Sequence, residues 1–557
     1  MVRSLRFRLP TRLAGLDDKK NKGAMLMRAI TPKRRINRLV GLGAASSLSL
    51  AATLMATGAH AASCADMAAL KIKDATILSA TVVSGGSFTA DTKGARAVTG
   101  LPTFCRVYAS VRPTSDSDIR VEVWLPATGW NGKYDGIGSN GLGGNIHYPE
   151  MGVALARGYA TSATDTGHNN DAGDGVWAAG HPEKIIDFGY RSTHLTALLA
   201  KDVIKAFYGD APKYSYFEGC SQGGQEAIME AQRFPTDYDG IAAGDADYAA
   251  THHEIGGHLF VPWLMNADDP NFAFSATKAK ALGDAVNLKC DGLDGVVDGV
   301  IENPQACHFD PATIQCANTG DGPDCLSPRE VAIVNALYKG ADQYMGNGFY
   351  GGYVPGSEAA TWRGFIVGGA VANNQHGRVG FPFFKYFYND PNWDFSKWDW
   401  KTDPARIMNA KVGNETMSSI MDVTSADISA LAARKGKLIQ YHGWGDSNVS
   451  PITGVRFHDR VVAALKAKNM KADDSYRLFM VPGMGHCQGG PGPDKFDMLT
   501  ALESWVEHGK APDSIPAAHE TAGKVDRTRI LCPYPMVAKY DGKGPKDQAS
   551  SFACRAA

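Results

Sequence analysis

The sequence predicts an α/β fold, a sheet whose strands alternate with covering helices, interrupted by one large insertion. Three observations carry this. Short apolar runs alternate with amphipathic stretches from about residue 119 to 233 and again from 437 to 508. Between them, residues 250–425 are rich in aromatics and glycine and show neither repeat nor alternation. Finally, Gly219-Cys220-Ser221-Gln222-Gly223 stands where a strand pattern passes into a helix pattern.

The elements follow in order. Arg28, Lys33, Arg34, Arg35 and Arg38 form a basic region, Leu39 to Thr57 a small-residue apolar run, and Ala59-His60-Ala61 a cleavage pattern. Residues 1–61 therefore read as a signal peptide and not as a stable membrane anchor, and the chain is expected to be exported, periplasmic or extracellular. Arg34-Arg35 leaves twin-arginine export open beside the general route, and Met25 or Met27 are alternative starts. Ile119 to Leu125 alternates as a strand, and Tyr134 to Ile137 is a short buried strand entering the glycine-rich loop Gly138 to Gly144. Gly158 to Thr161 reads as a strand, Leu195 to Phe207 as a helix, and Tyr214 to Glu218 as the strand before the serine. Gln222 to Arg233 is helical and stops before Pro235. After the irregular stretch come a strand at Lys437 to His442, a helix at Gly454 to Ala467, a strand at Tyr476 to Val481 and a helix at Phe496 to His508. This divides the exported chain into a first core part (62–247), an inserted lid (248–425) and a second core part (426–557). The alternation argues for a parallel sheet covered on both faces.

The whole chain has a net charge of −1. Residues 1–61 hold 12 of the 57 basic and 2 of the 58 acidic side chains, which leaves 45 and 56 and a net charge of −11 after the leader. Such a surface does not invite nucleic acid. All ten cysteines follow the leader, an even number in an exported chain, so disulfides are expected. Spacing alone does not fix their connectivity. Short loops and the neighbourhood of Ser221 and His486 suggest Cys64–Cys105, Cys220–Cys487, Cys290–Cys307, Cys316–Cys325 and Cys532–Cys554. The absence of any C-x-x-C speaks against thiolate metal binding.

The pentapeptide is the nucleophile elbow, a sharp strand-to-helix turn that exposes a serine hydroxyl. Ser221 needs a base, and His486 follows a strand in Pro482-Gly483-Met484-Gly485-His486-Cys487. The base needs an orienting carboxylate, and Asp446 follows the strand that ends at His442. The order Ser221, Asp446, His486 is that of the α/β-hydrolase fold. If Ser221 and His486 share a hydrogen bond, Cys220 and Cys487 are brought together behind them. The backbone N–H of Gln222, with a second donor at Gly141, would receive the oxyanion. In the insertion, Cys290-Asp291-Gly292-Leu293-Asp294-Gly295-Val296-Val297-Asp298-Gly299-Val300 interleaves carboxylates with glycines. Carboxylates of Asp291, Asp294 and Asp298 with carbonyls of Val296 and Val300 suit a hard cation, Ca²⁺ before Mg²⁺, in a structural role. The alternative is a solvated acidic turn.

With these residues in place the chain resembles the tannase and feruloyl esterase family. The resemblance rests on Gly219 to Gly224, Glu230-Ala231-Gln232-Arg233-Phe234-Pro235, Asp239-Gly240-Ile241, the Asp291–Val300 loop, His442-Gly443-Trp444-Gly445-Asp446 and Val481 to Cys487. It implies an α/β-hydrolase core with a lid, a Ser-His-Asp triad bridged by the adjacent cysteines, calcium in the lid, and esters of small aromatic acids as substrates. His442 looks like a pocket-lining position. Trp362, Phe381, Phe383 and Phe384 are candidates to stack on an aromatic acid. Arg378 is a candidate partner for a free carboxylate, which would favour a terephthalate monoester as in MHETase. The expected function is thus a secreted serine carboxylic ester hydrolase of feruloyl esterase or tannase type. The alternatives are a terephthalate monoester hydrolase, a transferase using the same acyl-enzyme, and an inactive polyphenol- or carbohydrate-binding protein on the same fold. Oligomeric state is not legible in the sequence.

Overall fold

The computed structural model describes residues 62–557 apart from 92–94, 318–319 and 369–373; the leader expected over 1–61 lies outside the described residues. Nine strands make the main sheet: β1 (Ala75–Val83), β2 (Phe104–Val111), β3 (Ile119–Pro126), β4 (Lys133–Ile137), β5 (Ala160–Thr164), β6 (Tyr214–Cys220), β7 (Gly240–Gly244), β8 (Lys437–Gly443) and β9 (Tyr476–Val481). Their spatial order is β1-β2-β3-β5-β4-β6-β7-β8-β9. From β5 across to β9 the pairing is parallel throughout. The expected parallel sheet is therefore correct only for this part. β1, β2 and β3 pair antiparallel with one another, and β3 pairs antiparallel with β5. Antiparallel neighbours need only short turns, which is why this end shows no intervening helix signal.

Five helices cover the sheet: α1 (Tyr148–Ala156), α2 (Ser192–Tyr208), α3 (Gln222–Arg233), α4 (Pro451–Ala467) and α5 (Met498–His508). One face buries Val203, Ile204, Ile228, Met229, Phe457 and Val461 of α2, α3 and α4 against Val121, Val123, Phe217 and Leu438. The opposite face packs Ala154 of α1 and Leu499, Leu502 and Trp505 of α5 on Tyr216, Ile439 and Phe479. Each fully buried side chain of this size contributes about 1.5–3 kcal/mol.

Where the elbow helix meets the ends of β6 and β7, the close contacts are made by glycines. A Cβ on Gly224 of α3 would stand 2.2 Å from the Gly244 carbonyl oxygen of β7, and one on Gly219 would stand 2.3 Å from the Gly223 oxygen. The glycines of the serine motif therefore set how deep the serine sits.

Between β7 and β8 the chain leaves the sheet and forms further apolar clusters. One gathers Leu282, Val286, Leu326, Val334, Leu337 and Trp362; another gathers Phe383, Phe384, Phe387, Trp398, Ile407 and Ile420 and is shared with Leu142, Trp177, Ile186 and Phe188 from the part before β6. All five disulfides form with the pairing expected from the sequence. No helix among the described residues is long and apolar enough to cross a membrane.

Candidate active site

Ser221 occupies the turn between β6 and α3 with φ 63° and ψ −121°, a left-handed setting rare for a residue with a side chain. Its N–H donates to the Gly244 oxygen at 3.0 Å, and the Gly223 N–H donates to the Ser139 oxygen at 2.9 Å. The hydroxyl is thereby held above the parallel edge of the sheet. His486 Nε2 lies 2.8 Å from Ser221 Oγ, and His486 Nδ1 lies 2.8 Å from Asp446 Oδ2. The other oxygen of Asp446 accepts the N–H groups of Asn448 and Val449 at 2.8 and 3.0 Å. The three residues singled out in the sequence thus meet in one hydrogen-bonded row.

The electrostatics suit a resting base. Burial alone would raise the Asp446 carboxyl, but the His486 charge and the hydrogen bonds of His442 and His486 outweigh it and hold the acid well below the carboxylate range. Burial would lower the His486 imidazole, yet the charge and hydrogen bond of Asp446 more than offset this, and the net shift is upward.

Three loops are locked together behind the row. The Cys220–Cys487 bridge, with Cα atoms 6.0 Å apart, joins the residue before the serine to the residue after the histidine. Asp245, at the end of β7, adds a second lock that sequence reading missed. Its carboxylate accepts the Gly443 N–H at 2.7 Å and the Cys487 N–H at 2.9 Å. Burial pushes the Asp245 carboxyl up to about 6, opposed by the His442 charge. Asp245 and Cys487 share with Ser221 a positive φ (39° and 61°).

His442 does not line the cavity as expected. It is completely buried beneath the acid, with Nε2 3.4 Å from Asp446 Oδ2, 3.2 Å from the Val449 oxygen and 3.7 Å from Asp245 Oδ1. His442 is still within the strand, one residue before its end, and points into the sheet's packing layer, whereas Asn448 and Val449 of the loop after it reach the cavity.

Ser221 and His486 open into a cavity of about 660 Å³. Gly141 and Gln222 both line it, and neither backbone N–H has a hydrogen-bond acceptor among the described residues. The Gly141 loop is tied to the elbow helix by Glu226, whose carboxylate accepts the Ser139 N–H at 2.9 Å and the Ser139 hydroxyl at 2.5 Å. Burial pushes the Glu226 carboxyl up to about 7, against those two hydrogen bonds. Sequence reading missed Glu226 too; an acid in the apolar run Ala227-Ile228-Met229 was its only signal.

The insertion roofs the cavity with Phe365, Gln375, Arg378 and Val379, and Arg378 is exposed there. The aromatic candidates fall elsewhere. Trp362 packs edge-on against Phe274 at 5.8 Å in the insertion's own core. Phe384 is fully buried and stacks on Trp393 at 4.7 Å; Phe383 is likewise buried, and Phe381 stacks on Phe395. Phe365 faces the site instead, edge-to-face with His486 at 5.8 Å, and Phe188 and Tyr441 also line the cavity.

The acidic loop lies away from this cavity. Asp291 accepts the N–H groups of Asp298 and Gly299 at 3.2 and 2.9 Å, which wraps the second half of the loop around the first. Val296 and Val300 bury their side chains. Burial and then the charges of Asp298 and Asp291 push the Asp294 carboxyl up to about 6. Crowded oxygen donors of one charge are the chemistry of a hard-cation site. The three carboxylates do not all converge within 4.8 Å, however, and Asp298 is also paired with Arg529.

A strained serine elbow, a histidine and a buried aspartate in this chain order, on a sheet of this topology, define an α/β-hydrolase. The chain belongs to the tannase and feruloyl esterase family, whose model matches residues 105–555, and it is a carboxylic ester hydrolase. It is 37% identical over 548 residues to an uncharacterized esterase of Xanthomonas campestris pv. campestris, covering 91% of this chain and 94% of that one. It is 35% identical over 543 residues to the mono(2-hydroxyethyl) terephthalate hydrolase of Piscinibacter sakaiensis, covering 86% and 89%. The crystal structure of feruloyl esterase B from Aspergillus oryzae superposes with a TM-score of 0.78 at 27% identity, over 88% of this chain and all of that one.

Proposed function

We propose that the protein is an exported serine esterase that cleaves esters of small aromatic acids, with feruloyl and galloyl esters first. The observation that carries this is the Ser221–His486–Asp446 row opening beneath the Phe365 ring. In the mechanism, His486 Nε2 takes the proton of Ser221 as Oγ attacks the ester carbonyl. The N–H groups of Gly141 and Gln222 receive the oxyanion. The imidazolium, held by Asp446, returns the proton to the leaving alcohol, and an acyl-enzyme remains. Water then attacks with the same imidazole as base. Phe365 holds the aromatic ring of the acid against the site. Ten paired cysteines, together with the leader expected over residues 1–61, support export to an oxidising compartment. The Asp291, Asp294 and Asp298 carboxylates with the Val296 and Val300 carbonyls would hold Ca²⁺, which supplies cross-linking of the loop and no step of the chemistry.

A second reading has its own observation. Arg378 is exposed in the cavity roof and has no salt-bridge partner among the described residues, so a substrate acid with a second carboxylate would find a counter-charge there. The relative named as a terephthalate monoester hydrolase supports the same direction.

The test is a side-by-side comparison of methyl ferulate, methyl gallate and a terephthalate monoester. Ser221→Ala is expected to lose activity on all three by about 10⁴-fold or more. Phe365→Ala is expected to lower kcat/KM on the aromatic acids by about tenfold while sparing an acetate ester. Arg378→Ala should affect the terephthalate monoester alone. Equal rates on aromatic and acetate esters in the wild type would refute the aromatic reading.

A further inference from the structure

The catalytic imidazole has a second polar neighbour that the triad does not require. Asn448 Nδ2 lies 3.1 Å from His486 Nε2, the same nitrogen that faces Ser221 Oγ. The backbone N–H of Asn448 is already bound to Asp446, so one residue touches both the acid and the base. The far side of the amide is held in turn: Asn448 Oδ1 lies 3.1 Å from His258 Nε2, and His258 Nδ1 lies 3.1 Å from Glu254 Oε2. Glu254 and His258 sit one wide helical turn apart in Glu254–Leu259, where the backbone follows a π-helix. Glu254, His258 and Asn448 are each more than nine-tenths buried, and all three line the cavity that holds Ser221. An amide between two imidazoles presents a donor to one and an acceptor to the other, so fixing His258 fixes what His486 meets.

We propose that Asn448 is a catalytic residue of the second half-reaction, its amide and His486 Nε2 together seating the water that hydrolyses the acyl-enzyme. Glu254 and His258 are positioning residues that hold the amide. The proposal rests on the triad reading above. During acylation Nε2 is occupied by the proton of Ser221, and the amide is not needed. Once Oγ is esterified it has no proton to donate, and Nε2 turns to solvent. A water held by one hydrogen bond has no fixed direction; a second bond from the amide beside that nitrogen orients its lone pair toward the acyl carbon. The water oxygen bonds to the acyl carbon while one of its protons passes to Nε2. The imidazolium then returns that proton to Ser221 Oγ as the carbon–Oγ bond breaks, releasing the acid and the free serine.

The experiment uses the full enzyme with p-nitrophenyl acetate and phenyl acetate, two esters with one acyl group and different leaving alcohols. Neither depends on the aromatic preference. In Asn448→Ala and the near-isosteric Asn448→Leu, kcat is expected to fall by about 10- to 100-fold. It should converge to one value for both esters, with a burst of p-nitrophenol equal to the enzyme present. Labelling of Ser221 by a fluorophosphonate, which needs no water, should keep its wild-type rate. His258→Gln should show the same pattern to a smaller degree. Wild-type turnover in folded Asn448 variants would overturn the proposal. So would equal slowing of labelling and hydrolysis without a burst, since that marks a mere prop for the imidazole. Failure of the wild type to label at Ser221 would instead remove the triad reading itself.

Discussion

At the scale of single residues, the site is a competition between burial and neighbouring charge. His486 is the clearest case. Its imidazole is raised above the ordinary 6.5 chiefly because Asp446 beats the burial penalty. A protonated His486 cannot take the serine proton, so activity is present above its pKa and is lost as pH falls through it. The acid limb of kcat/KM is therefore expected above 6.5. Asp446→Asn should move that limb downward and lower the plateau by about 10⁴-fold. A pH–rate profile of both enzymes on p-nitrophenyl acetate checks this, and a wild-type limb below 6.5 would contradict it. This is also where sequence reading was strongest and weakest. Ser221, Asp446 and His486 were legible because chemistry, chain order and post-strand placement agreed. Trp362, Phe384 and His442 were not, because an aromatic or imidazole side chain serves a packed interior as readily as a cavity wall. Phe365 and Trp362 are three residues apart and look alike in sequence; only tertiary packing decides which one faces the cavity.

At the scale of elements, the loops after β6, β7, β8 and β9 form one cross-braced unit. The Cys220–Cys487 bridge spans 267 residues, and Asp245 ties the same histidine loop to β8 by hydrogen bonds alone. Replacing both cysteines by alanine is therefore expected to lower kcat by about 10- to 100-fold with KM little changed, since a shift of about 1 Å is enough. Adding Asp245→Asn should deepen the loss beyond the product of the two single effects, because each brace backs up the other. Turnover measured alongside thermal unfolding separates this from destabilisation; unchanged kcat in the cysteine variant would show that the bridge plays no part in alignment. The sequence disclosed these strands by their alternation with helices. It did not disclose β1, β2 or the antiparallel start, whose segments Ala75–Val83 and Phe104–Val111 mix threonine, serine and alanine without a helix between them.

At the scale of the whole molecule, the acidic loop joins the insertion to the end of the chain. Arg529 and Arg527 lie on the late strand Lys524–Leu531 and pair with Asp298, while Val296 packs with Cys532, Ala538 and Phe552. A cation held by the loop would stiffen a contact between distant parts of the chain. Removing it with a chelator is expected to lower Tm by about 5–10 °C, restored by Ca²⁺ more readily than by Mg²⁺. Asp294→Asn should abolish the response while kcat at low temperature stays near wild type. An unshifted melt would mean that the loop is a solvated turn.

The covalent bridges are partitioned. Cys290–Cys307 and Cys316–Cys325 close within the segment between β7 and β8, while the other three close within the sheet-forming parts. No sulfur bond ties roof to floor. A roof that carries its own staples keeps its thiols apart from those beneath: opening Cys290–Cys307 or Cys316–Cys325 leaves the clamp behind the serine and histidine covalently whole.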